Sequence, residues 1–225
     1  MRGEAMLGNL VLGLAVAMAA GQPRVSPGPS EPDWIAILDA FYGLRMIEDL
    51  ENPVRTSPEA APGLFRKAGP GPVRYAPLLA LGLETTTRGG WYTLPAEPDR
   101  PVKRPLWSYT FRSGGHDLET QPDFTPPLEA GSVTEFDPGE TPFGLWVSND
   151  GLKDGGVFTQ PSVVRAVNER LAAQPYKAMI YRLRDKATGR VVPHAYLIGW
   201  EYSTNDDFQD VVCRVENVEL VGEER

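Results

Sequence analysis

The chain has 225 residues, of which 41% are hydrophobic and 23% charged, so wholesale disorder is excluded. A formal net charge of -8 argues against a nucleic-acid backbone or an anionic lipid surface as the main partner. The 22 prolines and 23 glycines favour many short strands joined by turns over long helices.

The first residues are typical of an export signal. Residues 6–20 are almost entirely apolar, and Ala17 and Ala19 place small side chains at a plausible cleavage site. The stretch is short and is interrupted by Gly8 and Gly13, which is unfavourable for a membrane span, and an uncleaved anchor is the alternative. We therefore predict a signal peptide at 1–20, export to the periplasm, cell surface or extracellular space, and no membrane span after cleavage.

A linker and a single domain are predicted after the signal. Residues 21–33 hold four prolines and show no apolar periodicity, which is typical of an extended linker. Residues 34–225 are long enough to form one domain with its own hydrophobic core.

An amphipathic helix is predicted at residues 34–43, where the domain begins. Ile35, Leu38, Phe41 and Tyr42 recur at a spacing that places them along one side of a helix.

The rest of the chain predicts a β-rich fold. Residues 56–77 are rich in proline and glycine and are expected to be irregular, a buried run follows at 78–84, and 162–173 predict a second short helix. Alternating or apolar segments predict strands at 89–94, 106–111, 132–136, 143–147, 178–184, 190–202 and 208–221. The last three are expected to run antiparallel in sequence. The predicted fold class is mainly β: an antiparallel, jelly-roll-like β-sandwich with one or two short helices.

The acidic turn before the last strand is the candidate site, with Glu201, Asp206, Asp207 and Asp210 as candidate metal ligands. Calcium takes six to eight oxygen ligands, and a loop held between two strands can gather carboxylates on a rigid support. In an extended turn Asp206 and Asp210 share one side and Asp207 points away. Alternatively, these residues are turn formers whose side chains bind nearby backbone amides. The spacing alone leaves both interpretations open.

An apolar strand, then Asn-Asp-Asp-Phe-Gln-Asp at residues 205–210 and further hydrophobic residues, resembles the aspartate-rich signature of domain-of-unknown-function family 4114. Residues 37–43, 136–147 and 157–160 resemble an extended version found in exported bacterial proteins. The resemblance implies a β-sandwich that occurs alone or within large calcium-rich adhesins, with no established catalysis. It also implies calcium as a structural cofactor at the acidic turn.

No catalytic residue is predicted. The motifs G-x-S-x-G, H-E-x-x-H, G-x-x-x-x-G-K-[ST] and G-x-G-x-x-G are absent from the sequence. Cys213 alternates with Val211 and Val215 and is expected to be a small buried hydrophobe. His194 is expected to pack within a strand, and His116 to lie in a loop.

Residues 149–156 superficially resemble a calcium-binding loop. They lack the oxygen ligand at the third position and the distal glutamate of an EF-hand, so a hairpin turn is predicted there.

The predicted function is that of an exported, non-catalytic β-sandwich with a structural, adhesive or ligand-binding role. A surface protein or a glycan is the expected kind of partner, and the sequence leaves the oligomeric state open. The alternative is a carbohydrate-binding module, or a carbohydrate-active enzyme using paired carboxylates. Aromatic side chains on strands are the candidate sugar platforms, although most such side chains belong to a core. These candidates are Trp91, Tyr92, Trp107, Tyr109, Trp146 and Trp200.

Overall fold

The computed structural model describes four stretches of the chain, residues 63–94, 100–110, 125–205 and 207–222. The predicted signal peptide, linker and N-terminal helix lie outside these stretches, as do Asp206 and His116.

Eleven strands, one α-helix and one 3-10 turn form the regular structure of the described residues. The strands are β1 (Gly63–Lys67), β2 (Val73–Ala80), β3 (Thr87–Thr93), β4 (Val102–Tyr109), β5 (Glu135–Phe136), β6 (Gly144–Asn149), β7 (Val157–Phe158), β8 (Ala178–Arg184), β9 (Val191–Trp200), β10 (Val211–Glu216) and β11 (Val218–Gly222). Helix α1 spans Pro161–Val167, and the 3-10 turn spans Glu169–Leu171. Neither is long and apolar enough to cross a membrane. The predicted mainly-β class is confirmed.

Two antiparallel sheets hold nine of these strands. One has the order β5-β2-β10-β9-β8 and the other the order β4-β3-β6-β7. The remaining strands, β1 and β11, pair as a separate two-stranded ribbon in which Gly63 lies opposite Gly222. Reciprocal backbone hydrogen bonds of 2.7 and 2.9 Å between Phe65 and Phe143 tie this ribbon to the residue just before β6.

The core lies between the five-stranded and the four-stranded sheet. The Tyr75 ring on β2 lies 5.5 Å from the Trp107 ring on β4, and Phe136 on β5 stacks on Trp91 of β3 at 5.1 Å. Aromatic pairs of this kind bury much apolar area between two facing sheets. The packing of the described residues is therefore that of a β-sandwich, as predicted.

The irregular region predicted at residues 56–77 was wrong, because β1 and most of β2 lie in it. Pro77 occupies β2 where the pairing with β10 slips by one residue, between the partners of Val212 and Cys213. Proline is tolerated at such a bulge, since the ladder is already interrupted there. The buried run expected at 78–84 ends sooner, and Leu83 is 47% exposed.

The last predicted strand, at residues 208–221, is in fact two strands in different sheets. Asn217 separates them with a φ of 62°, a left-handed conformation that turns the chain out of the five-stranded sheet. The order β8, β9, β10 as successive antiparallel neighbours is confirmed. The second predicted helix is also confirmed, as α1 and the 3-10 turn.

Candidate functional site

The acidic loop, residues 201–210, joins β9 to β10 at one end of the five-stranded sheet. Trp200 and Val211 are the last paired residues of the two strands, so the loop closes a β-hairpin. Tyr202, Phe208 and Trp200 are at most 1% exposed, which anchors both ends of the loop in the protein interior. The loop is therefore held by packing as well as by its hydrogen bonds.

Glu201 is fully buried, and its carboxylate accepts hydrogen bonds from the backbone of the loop. Its Oε1 accepts from Ser203 N at 2.7 Å, and its Oε2 accepts from Asp207 N at 3.0 Å and from Phe208 N at 3.4 Å. A buried carboxylate is tolerated where several donors compensate for its lost hydration. Glu201 thus holds the two sides of the loop together.

Asp207 is also buried, at 2% exposure, and binds donors on the same loop. Its Oδ1 accepts from Gln209 N at 3.4 Å. Its Oδ2 accepts from Gln209 Nε2 at 3.3 Å and from Asn205 Nδ2. This arrangement fixes the turn before β10, where Phe208 takes a positive φ of 56°.

Asp210 connects the acidic loop to the chain that follows β2. Its Oδ2 accepts from Tyr202 N at 2.8 Å, and its backbone oxygen accepts from Leu81 N and Gly82 N at 3.2 and 3.0 Å. Burial raises the pKa of the Asp210 carboxyl well above its usual range, and the negative charges of Glu201 and Asp207 raise it further. The residue as a whole is only partly buried, whereas its carboxylate is shielded from water and lies near Glu201 and Asp207.

The described carboxylates of the acidic loop are engaged by N–H groups. Both oxygens of Glu201 and both oxygens of Asp207 already accept hydrogen bonds from N–H groups. Among the described residues, no group of three or more His, Cys, Asp or Glu side chains is arranged to hold a metal ion. Asp206 lies outside the described residues, and calcium at this loop stays a prediction.

The sequence anticipated part of this arrangement. Asp207 and Asp210 do meet Glu201 in one loop, and their bonding to backbone amides is the alternative that the sequence had left open. The role of Gln209 was missed, and so was that of the backbone donors at Ser203 and Phe208. The pattern of side chains in a sequence does not indicate which backbone N–H groups a carboxylate will bind. An amide side chain two residues after an aspartate does indicate a local hydrogen bond between the two side chains.

The loop at residues 149–156 is a hairpin connection between β6 and β7, as predicted. Its two aspartates each contact an arginine. Asp150 pairs with Arg88, and Asp154 accepts from Arg170 Nη2 at 2.6 Å. These ion pairs compensate the charges of the two aspartates.

The six candidate aromatic platforms are buried. Their exposed fractions run from 0% for Tyr92 and Trp200 to 8% for Trp91, so none offers a ring face to a sugar. A shallow cleft of about 260 Å³ does lie above Trp107, with Arg88, Ser108 and Ser132 among its lining residues. Arg88, Ser108 and Ser132 place polar groups along its lining.

The two other singled-out side chains behave differently. Cys213 is fully buried between the sheets as expected, and burial raises the pKa of its thiol to about 12. His194, predicted to be packed, is exposed: its residue has a φ of 56°, and its Nδ1 lies 3.5 Å from Glu219 Oε1 at the surface. The left-handed conformation interrupts the strand alternation that had placed His194 inside.

Comparison with protein-family models, with curated proteins and with solved structures gave no match to this chain. The resemblance to domain-of-unknown-function family 4114 therefore stays a prediction carried by residues 201–212.

Proposed function

We propose that this chain is an exported, non-catalytic β-sandwich module with a structural or adhesive role, which binds a surface protein or a glycan. The observation that carries the proposal is the use of the acidic loop. Glu201, Asp207 and Asp210 accept hydrogen bonds from N–H groups of their own loop, so their oxygens stabilise a hairpin. Because these residues serve the fold, we expect the residues that bind a partner to lie elsewhere, on the exposed surface.

Export rests on the apolar stretch at residues 6–20, and its test is direct. Expression of the full chain in a bacterial host with a Sec pathway should give a protein whose N-terminus lies after Ala19 or Ala20 in the periplasmic fraction. Retention of the full-length chain in the cytoplasm would contradict export.

Binding without catalysis is tested on polysaccharides. The purified protein is incubated with insoluble cellulose, chitin and peptidoglycan, and both retention and released reducing sugar are measured. We expect retention on at least one polymer, or on whole envelope, with no release of sugar. Release of sugar above a heat-denatured control would instead favour the carbohydrate-active enzyme.

The cleft above Trp107 gives a matched pair of variants for this assay. Arg88→Ala changes the cleft lining, whereas Arg165→Ala changes an exposed arginine on α1, away from the cleft. A loss of glycan retention in Arg88→Ala alone would place the glycan site in this cleft. Equal retention in both variants would place it elsewhere.

Calcium at the acidic loop is proposed as an additional stabiliser and is tested by melting. If calcium binds, the melting temperature rises with added calcium and falls with a chelator. Asp210→Ala should abolish this shift, and Asp150→Ala, which lies in the β6–β7 connection, should leave it unchanged. A melting temperature that responds neither to calcium nor to chelator would remove calcium from the account.

A further inference from the structure

A small cleft lies on the side of the five-stranded sheet that faces away from the core. Tyr75 on β2 and Cys213 and Val215 on β10 belong to the core between the sheets, so the residues that alternate with them point to the opposite side. The cleft has a volume of about 70 Å³. Its lining residues are Arg74, Ala76, Leu78, Arg214 and Glu216. We call it the arginine cleft.

The pairing of β2 with β10 produces the arginine cleft. Arg214 lies opposite Ala76, and Glu216 lies opposite Arg74. Because the alanine side chain ends at Cβ, the space between the longer side chains around it stays open. The side chains of Arg74, Arg214 and Glu216 are 59%, 37% and 27% exposed, so the cleft is accessible from solvent. Paired strands therefore hold its charged groups at the protein surface.

The guanidinium groups of the arginine cleft have donors to spare. Arg214 Nη2 donates to Glu216 Oε1 at 2.6 Å. Arg74 Nη1 lies 3.9 Å from Glu216 Oε2, which is close enough for an ion pair but too long for a hydrogen bond. Arg214 Nε is buried and has no acceptor among the described residues. A buried N–H of this kind indicates a partner from outside the protein, such as water or a ligand.

The charge of the lining favours an anion as that ligand. Glu216 neutralises only one of the two arginines, and Glu135, which lies opposite Arg74 on β5, is outside the lining. Guanidinium groups bind a carboxylate through parallel N–H···O bonds that are stronger than those between neutral groups. Because the whole chain has a net charge of -8, this attraction is local to the cleft.

We infer that the arginine cleft binds the carboxylate of a uronic acid residue in an acidic polysaccharide, which rests on the proposed binding of a glycan. A space of about 70 Å³ is on the scale of a few water molecules, so it admits the carboxylate while the sugar ring lies outside. Ala76 and Leu78 supply the apolar part of the lining, next to which the carbon atoms of the ring pack.

The test compares two forms of one ligand. Oligogalacturonate carries a carboxylate on each sugar, whereas its methyl ester is uncharged. Binding to the purified protein is measured by isothermal titration calorimetry in the presence of a chelator, so that calcium cannot bridge the sugar to the acidic loop. We expect the acid to bind and the ester to bind roughly tenfold more weakly, because the ester cannot accept charge-assisted hydrogen bonds.

Two arginine variants place this binding in the cleft. Arg74→Gln and Arg214→Gln should each weaken binding of the acid by about tenfold. Arg165→Gln, at an exposed arginine on α1, is the matched control and should bind like the wild type. Arg74 is the more exposed of the two, so its variant should keep the melting temperature of the wild type and decides the test if Arg214→Gln is unstable.

A glutamate variant should act in the opposite direction. Glu216→Gln keeps an acceptor for Arg214 but removes the carboxylate that competes with the ligand, so it should strengthen binding of the acid by about threefold. Glu135→Gln makes the same change of charge outside the lining and should have a smaller effect. Weaker binding by Glu216→Gln would contradict the inference.

Equal binding of acid and ester, or unchanged binding in both arginine variants, would overturn the inference and leave glycan binding in place. Poly-glutamate that binds as tightly as oligogalacturonate would overturn the choice of a sugar. If neither form of the ligand binds, the inference is also overturned. The retention assay on cellulose, chitin and peptidoglycan then decides separately whether the protein binds any glycan.

Discussion

Glu201 shows how one side chain can organise a loop. Its carboxylate meets three backbone donors that belong to residues on both sides of the turn, and it does so at full burial. Removing such a residue lowers the stability of the fold, because each buried N–H donor left without an acceptor remains desolvated without a compensating hydrogen bond.

Replacing Glu201 with alanine should therefore lower the free energy of unfolding by roughly 3 kcal/mol. The measurement is urea denaturation followed by tryptophan fluorescence. Glu140→Ala, at an exposed glutamate, is the matched control and should stay within about 0.5 kcal/mol of the wild type. Similar midpoints for the two variants would contradict the structural role of Glu201.

Asp210 should make the folded protein less stable as the pH rises, which is the reverse of the usual effect of an aspartate. Because its pKa is raised in the folded state, the folded protein holds this proton more tightly than the unfolded chain does. Its contribution is fully present below about pH 4 and is lost as the pH rises through the raised pKa. In chelator, Asp210→Asn should thus be more stable than the wild type at neutral pH and similar to it in acid.

Asp185 should give the opposite pH dependence of stability in the same experiment. Hydrogen bonds from the Thr188 hydroxyl and backbone lower the pKa of Asp185 in the turn between β8 and β9. Its contribution is present above about pH 4 and is lost as the pH falls. Asp185→Asn should be less stable than the wild type at neutral pH only. Parallel pH profiles for the two variants would refute the assignment for Asp210.

At the scale of the elements, the β9–β10 hairpin depends on a close approach between a strand and its loop. A Cβ atom at Gly199 would lie 2.7 Å from the Phe208 carbonyl oxygen, whereas one at Gly69 would have ordinary space, its nearest atom being Asn217 Oδ1 at 3.4 Å. Only glycine lets the loop lie directly on β9.

Gly199→Ala should consequently cost roughly 1–3 kcal/mol, since the loop must shift and strain the bonds to Glu201. Gly69→Ala, the matched control, should be neutral within about 0.5 kcal/mol. Thermal melting of the two variants gives the comparison. If the Gly199→Ala variant has the melting temperature of the wild type, the loop moves freely away from the strand.

The same scale shows what sequence reasoning can and cannot reach. The hairpin of β8 and β9 was predictable, because apolar runs flank a turn sequence in which Asp185 and Gly189 stand out. Strand β2 was not predicted, because Pro77 argues against a strand in the sequence. Proline is accommodated there only by the bulge that forms when β2 pairs with β10. The break at Asn217 was equally invisible, since the left-handed conformation depends on its amide reaching backbone oxygens such as that of Pro72, at 3.1 Å.

For the candidate site, the residue set was predictable and its role was not. Acidic residues on a turn can bind a metal ion or accept hydrogen bonds from backbone amides, and this sequence is compatible with either role. The choice depends on where backbone N–H groups point once β9 and β10 have paired. That geometry is a property of the hairpin as a whole, so Glu201 could be named from the sequence while its three donors could not.

At the scale of the whole molecule, Cys213 should report global unfolding. Its thiol lies between the sheets, fully buried, with the pKa raised to about 12, so both access and reactivity are suppressed. Maleimide labelling of the wild type should follow the unfolded fraction measured by fluorescence across a urea titration. A cysteine introduced by Val133→Cys, at a residue 52% exposed, should react at once in the native state. Labelling of Cys213 far below the unfolding transition would indicate local opening of the sandwich.

The pairing of β1 with β11 joins two strands that are far apart in the sequence. Because Gly63 lies opposite Gly222, these ends of β1 and β11 lie about 5 Å apart. A force that pulls Gly63 and Gly222 apart would therefore open the ribbon one residue pair at a time, which takes less force than breaking all of its pairs together.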